Sequence, residues 1–310
     1  MKDRRGVILV TVLWILFLVG MLALGLGRLG TEELSLARIS LGRLRAYAAA
    51  RSGLAVTEQR LLNENNVQAQ AGAMSYDERK KLYAGVSVGS GTYFDVGFKR
   101  AGVDSGMFWG PADEAARYNI NMLDGPGVAA DTLRLLVDRV AAGEGEAWVR
   151  GIIDFRNGLE RKGTIRPFYA LEELLYVSGV SAEVFRRLRS MLTVYPYERT
   201  GVFQLNIFEA DALLVEAAFQ AAATYVGANA AADSRSFLQC RERSVDPQRH
   251  CALPAYLGVM ASSKSSSGTL YRIRSTGVDS SSGMRLSIEE VVSLSGAGRQ
   301  GVQILYWHRD

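Results

Sequence analysis

The apolar residues near the start of the chain form one unbroken block. Residues 7–26 carry no charged side chain, and about 20 apolar residues are what a helix needs to cross a membrane. The segment before the block contains Lys2, Arg4 and Arg5, and such cations hold a flanking segment in the cytoplasm. The pattern predicts a single membrane span, with the bulk of the chain outside the cytoplasm.

The block continues into an amphipathic pattern without a helix-breaking signal. The apolar residues that follow are spaced by three and four, which is one stripe of a helix: Leu34, Ala37, Leu41, Leu44 and Ala48. One helix from residue 7 to residue 62 is therefore predicted, and its second half needs a partner outside the bilayer. A secretory signal peptide, with small residues at 23–25, is the alternative interpretation.

The rest of the chain divides into a helical middle and a strand-rich end. Residues 131–226 follow helical spacing. Alternation of apolar and polar residues predicts strands at 91–100, 270–276, 285–294 and 302–307. Antiparallel strands of this kind suit a sheet packed on the long helix.

Composition narrows the function classes. About half of the residues are apolar, which excludes a disordered chain. The net charge of +4 is spread over the length and does not imply a nucleic-acid partner. His250 and His308 are too few for most metallohydrolases or His-based triads, so the chain is predicted not to be an enzyme.

A short basic leader that ends in Gly6, followed directly by the apolar helix, resembles the type IV pilin and pseudopilin superfamily. The resemblance implies that a prepilin peptidase cleaves after Gly6 and that Val7 becomes a methylated N-terminus. Thr11 stands where the superfamily has a glutamate. The absence of this glutamate implies a subunit at the fibre tip, as in the general secretion pathway protein K family of minor pseudopilins. A tolerated polar residue in an ordinary anchor is the alternative.

Residues 113–121 resemble the segment that leads into the inserted helical domain of the K family. Asn119 and Asn121 lie on one side of an extended strand and are predicted to cap the following turn. Asn206 matches part of a second Asn-rich turn of that family. The alternative role for this region is a calcium site, whose ligands would be three nearby acidic residues: Asp113, Glu114 and Asp124. A helix, turn and helix at 171–192 could be a DNA-binding hairpin, but in the K family it belongs to the inserted domain and binds no nucleic acid.

Cys240 and Cys251 are predicted to form a disulfide. The predicted topology places them in an oxidising compartment, and the polar segment between them cannot hold a loop by burial. Two unrelated buried thiols are the alternative.

The prediction is thus an α+β fold, with a pilin-like long N-terminal helix packed on an antiparallel sheet and a large inserted all-α domain. The expected function is a minor pseudopilin that initiates and caps the tip of a type II secretion pseudopilus for export of folded proteins. A minor pilin of a type IV pilus, and a single-span periplasm-facing enzyme or binding protein, are the alternatives. The expected localisation is single-pass in the inner membrane, with the bulk of the chain periplasmic.

The predicted domains are a prepilin leader (1–6), a transmembrane half-helix (7–26), a first part of the pilin-like body (27–123), the helical insert (124–226) and the C-terminal strands of the body (227–310). The expected partners are other minor pseudopilins, the prepilin peptidase and the inner-membrane assembly platform, without nucleic acid. Apart from the alternative of calcium, no cofactor is expected.

Overall fold

The structure is a computed structural model. It describes residues 4–64, 76–89, 91–99, 106–123, 125–161, 166–197, 203–244, 250–257, 270–294 and 301–309.

Within these ranges the α-helices are α1 (Arg4–Glu64), α2 (Tyr76–Tyr83), α3 (Val128–Val140), α4 (Gly145–Arg161), α5 (Ala182–Leu188), α6 (Ala212–Thr224) and α7 (Ala230–Arg243). The strands are β1 (Val86–Gly89), β2 (Thr92–Lys99), β3 (Met107–Trp109), β4 (Ala112–Asp113), β5 (Tyr118–Asn119), β6 (Leu192–Thr193), β7 (Leu270–Asp279), β8 (Met284–Ser293) and β9 (Gln303–Arg309). Short 3-10 turns connect several of them.

The main sheet is antiparallel and has the order β1-β2-β7-β8-β9. Strand β3 pairs with β2, and β4 pairs with the first part of β7. Strands β5 and β6 form a separate parallel pair. Along β7 and β8, successive side chains point to opposite sides of the sheet, and each side packs on a different layer. Helix α1 covers one side. The helical part of the protein, which contains helices α3 to α7, touches the other.

The second half of α1 is the layer on the sheet. Its buried residues recur at helical spacing, and they are Gly42, Ala46, Ala49, Ala50, Gly53, Leu54, Thr57 and Leu61. They pack with a cluster from β2, β7 and β8 that includes Phe94, Ile273 and Ile288. A stripe of this width is what holds a long helix on a sheet.

Small residues bring α1 unusually close to β7. A Cβ atom on Gly277 would collide with the backbone of Ala46 and Ala50. A Cβ atom on Gly53 would collide with Ser275 and with the ring of Phe94. The helix therefore rests directly on the strand, and larger residues at these points would force the two apart.

The helical part has its own core around Tyr118, Leu133, Trp148 and Phe219, which are all fully buried. Helix α7 packs into this core through Phe237 and Leu238. As packed, the helical part thus continues beyond residue 226, where the sequence placed the boundary of the insert. The predicted α+β fold, with a long N-terminal helix, an antiparallel sheet and a helical domain, is confirmed.

The predicted localisation is wrong. A membrane span needs about 20 mostly apolar residues in one helix. In the part of the chain that the structure describes, no helix meets the length and apolarity required for a span. The single-pass inner-membrane topology with a periplasmic body is therefore not retained.

Candidate functional site

The first half of α1 is uncovered by the rest of the protein. Every described side chain from residue 9 to residue 25 is exposed, and so are those from 32 to 41. Most of them are large and apolar, for example Leu13 at 66% and Trp14 at 60% exposure. An apolar surface of this size marks an interaction site, because a helix that is apolar all round is stable only when other elements cover it.

The predicted processing residues lie at the start of this half. Gly6 and Val7 belong to the first turns of α1. Thr11 lies one to two turns further on and is exposed. Cleavage after Gly6 and methylation of Val7 stay predictions.

The three predicted turn asparagines, Asn119, Asn121 and Asn206, lie on the side of the sheet that faces away from α1, where the sheet meets the helical part. The side-chain oxygen of Asn119 accepts a hydrogen bond from the backbone N–H of Asn121 at 2.9 Å, and its amide donates to the carbonyl of Pro196 at 3.0 Å. Asn119 thereby caps the short 3-10 turn of residues 120–122.

Asn121 joins three segments of the helical part. Its fully buried amide nitrogen donates to the carbonyl oxygens of Phe168 (3.0 Å) and Val194 (2.8 Å), and its oxygen accepts from the N–H of Phe168 (2.8 Å). A buried amide that satisfies both donors and its acceptor in this way fixes the packing of the segments it joins. The role is structural.

Asn206 performs a similar task at the second Asn-rich turn. Its amide donates to the carboxylate of Asp113 at 2.9 Å, and its oxygen accepts from the N–H of Phe208 at 3.2 Å. Its backbone N–H also bonds to the carbonyl of Ala115. The two Asn-rich turns, distant in sequence, are therefore brought together.

Glu114 and Arg272 form the ionic centre of this junction. Glu114 is fully buried, and Arg272 donates to both of its carboxylate oxygens at 2.8 and 2.5 Å. The hydroxyl of Thr193 also donates to Glu114, and Glu289 accepts from Arg272 at 2.6 Å. Burial alone would raise the pKa of Glu114, but the charge and hydrogen bonds of Arg272 hold it below its usual value.

Asp113 has the opposite environment one residue away. Burial raises its pKa to about 7, and repulsion from the nearby carboxylate of Glu209 adds to the shift. Asp113 and Glu209 line a cleft of about 710 Å³ between the outer side of the sheet and the helical part. Arginines, tyrosines and further carboxylates line the same cleft, so its charge is mixed.

The three predicted calcium ligands are not seen together. Asp113 and Glu114 already accept hydrogen bonds from Asn206 and Arg272, respectively, and Asp124 lies outside the described residues. Among the residues that are described, no group of three or more potential ligands could hold a metal ion. Calcium binding stays a prediction.

A second buried acid lies between α1 and the sheet. The side chain of Glu290 on β8 is fully buried, and neither of its oxygens accepts a hydrogen bond from an N–H or hydroxyl group of the described residues. The group it faces is the carboxyl of Glu58 on α1, and Arg51 contributes a weaker attraction. Burial raises the pKa of Glu290 to about 8, and the hydrogen bond and charge of Glu58 contribute. The two carboxyls can share a proton only while one of them is protonated.

The structure joins Cys240, near the end of α7, to Cys251 by a disulfide. Both sulfurs belong to residues that pack on the core of the helical part. The bond therefore attaches residues 250–257 to that core.

Neither a family model nor a curated protein matches the chain. Among solved structures, a similar chain occurs in the crystal structure of the GspK-GspI-GspJ complex from the enterotoxigenic Escherichia coli Type 2 Secretion System. The TM-score is 0.52 at 16% sequence identity, and the similarity covers 90% of this chain and 99% of that chain. The fold is GspK-like. The GspK-like fold includes the helical part, since a match over 90% of the chain cannot be limited to α1 and the sheet.

Sequence reasoning named Glu114 only as an alternative calcium ligand and missed Arg272 and Glu290. Glu290 lies between Ile288 and Val292 on one face of β8, and both of these residues are apolar and buried. Arg272 lies between Tyr271 and buried Ile273 on β7. A charged residue inside such a pattern is the signal that could have found them. Their partners, however, could not be named from the spacing.

Proposed function

We propose that the protein is a minor pseudopilin of a type II secretion system, which assembles with companion minor pseudopilins at the tip of the pseudopilus and initiates and caps the fibre. The observation that supports this most is the GspK-like fold over 90% of the chain. The protein with the similar chain is solved as a complex with two other Gsp proteins, and companions of the same kind are the partners we propose here.

The uncovered half of α1 is the proposed assembly surface. It presents apolar side chains around its whole circumference, so more than one companion helix can pack against it. Association of such helices relies on close side-chain packing and on burial of apolar area. The helical part and the sheet lie at the far end of α1 and leave this half free.

Thr11 supports the tip position within this proposal. A glutamate on an apolar helix, once buried between packed helices, is costly unless a cation meets it. Threonine needs no such partner, because its hydroxyl can bond to a carbonyl of its own helix. A subunit with nothing above it in the fibre is thus the one that can do without the glutamate.

Processing is part of the same proposal. Cleavage by a prepilin peptidase after Gly6 would leave Val7 as a methylated N-terminus and keep the rest of α1 intact, ready for the assembly platform of the secretion system. Mass spectrometry of the protein from its native host should find an N-terminus at Val7 that carries a methyl group. An N-terminus near residue 26 would instead indicate removal of a signal peptide.

Co-purification tests the assembly surface. The full chain should capture two co-expressed companion minor pseudopilins, and the variant Leu13→Glu should capture at least tenfold less, because the new carboxylate is buried without a cation. Leu175→Glu is the matched control, since Leu175 is an exposed leucine of the helical part. Equal capture by both variants would place the assembly surface elsewhere, and no capture by the unaltered chain would refute the proposed function.

The tip position has its own test. Thr11→Glu should impair assembly and thereby reduce secretion, because its carboxylate, like that of Leu13→Glu, would be buried between the packed helices without a cation. Normal secretion by this variant would remove the argument that no subunit lies above.

A further inference from the structure

The two edges of the main sheet are built differently. Edge strand β1 has four residues, a register irregularity between Ser87 and Gly89, and a positive φ of 130° at Gly89. These features blunt an edge against pairing with other chains. The opposite edge strand, β9, also has a register irregularity, opposite Val291 and Val292 of β8. It is longer, however, with seven residues, and contains no proline or glycine.

Strand β9 is also poorly covered. Each of its residues is exposed or half-buried, and among the described residues it pairs only with β8. The backbone N–H and C=O groups along its outer side are a template for another strand. Natural proteins usually cover such an edge, and in the described part of the chain no other strand pairs with the outer side of β9.

The face of β9 on the α1 side of the sheet carries apolar side chains that no described element covers. Ile304 pairs with Val292, and Trp307 pairs with Glu290. Val292 and Glu290 are fully buried beneath α1, whereas Ile304 is 48% exposed and Trp307 is 43% exposed. Helix α1 therefore covers the sheet only as far as β8, and Ile304 and Trp307 form an apolar shelf beside it.

A cation ends this shelf. Arg309 lies on the same face, with its guanidinium 5.9 Å from the ring centroid of Tyr47 on α1. Strand β9 contains His308 and Arg309 but no acidic residue. A strand that adds here is thus complementary when it carries apolar residues opposite Ile304 and Trp307 and a carboxylate opposite Arg309.

We infer that β9 is a docking edge for an extended segment of another polypeptide, which adds to the sheet as a new antiparallel strand and pairs an acidic residue with Arg309. Main-chain hydrogen bonds supply affinity, and the shelf supplies specificity. The inference rests on the proposed function only for the identity of that polypeptide as a companion pseudopilin.

A synthetic strand provides the test. The probe is the peptide Thr-Glu-Thr-Val-Thr-Val-Thr, whose one face matches the shelf, and its control carries lysine in place of glutamate. Binding to the full chain is followed by the NMR signals of the β9 amides. The glutamate peptide should bind at least tenfold more tightly than the lysine peptide and should protect the outward amides of β9 from exchange.

The variants compare an alanine substitution on β9 with one on the opposite edge strand, β1. The double substitution Ile304→Ala and Trp307→Ala should weaken binding of the glutamate peptide at least tenfold. Val88→Ala is the control, because Val88 on β1 has the same 43% exposure as Trp307. Absence of peptide binding, or binding that the shelf variant leaves unchanged, would overturn the inference.

Capture of the companion subunits separates the two proposals. If the unaltered chain captures no companion but binds the peptide as described, the proposed function fails and the docking edge stands. If the shelf variant no longer binds the peptide and still captures both companions with unchanged affinity, the companions dock elsewhere. That result would overturn the inference that β9 binds a segment of a companion pseudopilin.

Discussion

Glu114 and Glu290 are both fully buried, yet their surroundings are opposite. Glu114, at the junction between the sheet and the helical part, has a bidentate partner in Arg272 and a depressed pKa. Glu290, between α1 and the sheet, faces the carboxyl of Glu58 and has a raised pKa. The two interfaces of the sheet should therefore respond differently to pH: paired charge stabilises the junction, whereas the packing of α1 on the sheet should be more stable when Glu290 is protonated.

Removal of the arginine should have the largest effect. Arg272→Met leaves buried Glu114 with only the more distant Arg117, at 3.8 Å, as a counter-charge, and breaking a buried pair in this way costs about 3–5 kcal/mol. The free energy of unfolding in urea should fall by that amount at pH 7. The double variant Glu114→Leu with Arg272→Met should recover most of the loss, and a single variant that loses less than about 1 kcal/mol would contradict the paired-charge account.

The second prediction concerns the pH dependence of Glu290. A carboxyl whose folded pKa is about 8 against an ordinary value of 4.5 keeps its proton in the folded state after the unfolded state has lost it. Its contribution is full below pH 4.5 and is lost as the pH rises towards 8. Glu290→Gln should therefore be more stable than the unaltered chain at pH 9, by about 2–3 kcal/mol, and the gain should shrink at pH 5.

Urea unfolding at pH 5, 7 and 9 measures this difference. Glu32→Gln is the control, because Glu32 is an exposed glutamate on the uncovered half of α1, and its curve should follow that of the unaltered chain. Asp113, whose pKa is raised to about 7, also makes the free energy of unfolding fall as the pH rises. It is present in both variants and in the unaltered chain, so its effect cancels in the comparison. A Glu290→Gln profile parallel to that of the unaltered chain would refute the role of Glu290.

The close approach of α1 to β7 belongs to the same helix–sheet interface as Glu290. Gly277→Ala puts a methyl group against the backbone of Ala46 and Ala50, which should cost about 1–3 kcal/mol. Gly301→Ala, where nothing lies within 4 Å of the added Cβ, should change the stability by less than about 0.5 kcal/mol. Equal effects of the two substitutions would show that the helix is not seated as described.

The smallest expected effect is at Thr193, which donates to Glu114 and accepts from the N–H of Tyr195 at 3.1 Å. Thr193→Val should cost about 1–1.5 kcal/mol, because the hydrogen bond to the buried carboxylate and the one from the N–H of Tyr195 are lost while the bidentate arginine remains. Thr224→Val removes only an exposed bond within α6 and is the control in the same thermal unfolding measurement. A Thr193→Val loss as large as that of Arg272→Met would mean that the arginine is not the main partner.

Several elements could be predicted because they follow from local spacing. The strands expected at 270–276, 285–294 and 302–307 correspond to β7, β8 and β9, since alternation directly reports a sheet with two different sides. The segment 171–177, expected as a helix, is a 3-10 helix at Leu171–Tyr176. Helix α7 was not predicted, because its polar sequence has little apolar periodicity and it is helical through packing on the core.

The order of elements, a long helix, a helical middle and closing strands, can be read from residues that are close together in the chain. The pairing of charges depends on the packing of the folded chain. Arg272 reaches Glu114 across 158 residues, and Glu290 meets Glu58 because the second half of α1 packs on the sheet. Such encounters depend on how helix and sheet pack in space, and local periodicity contains no information about that distance.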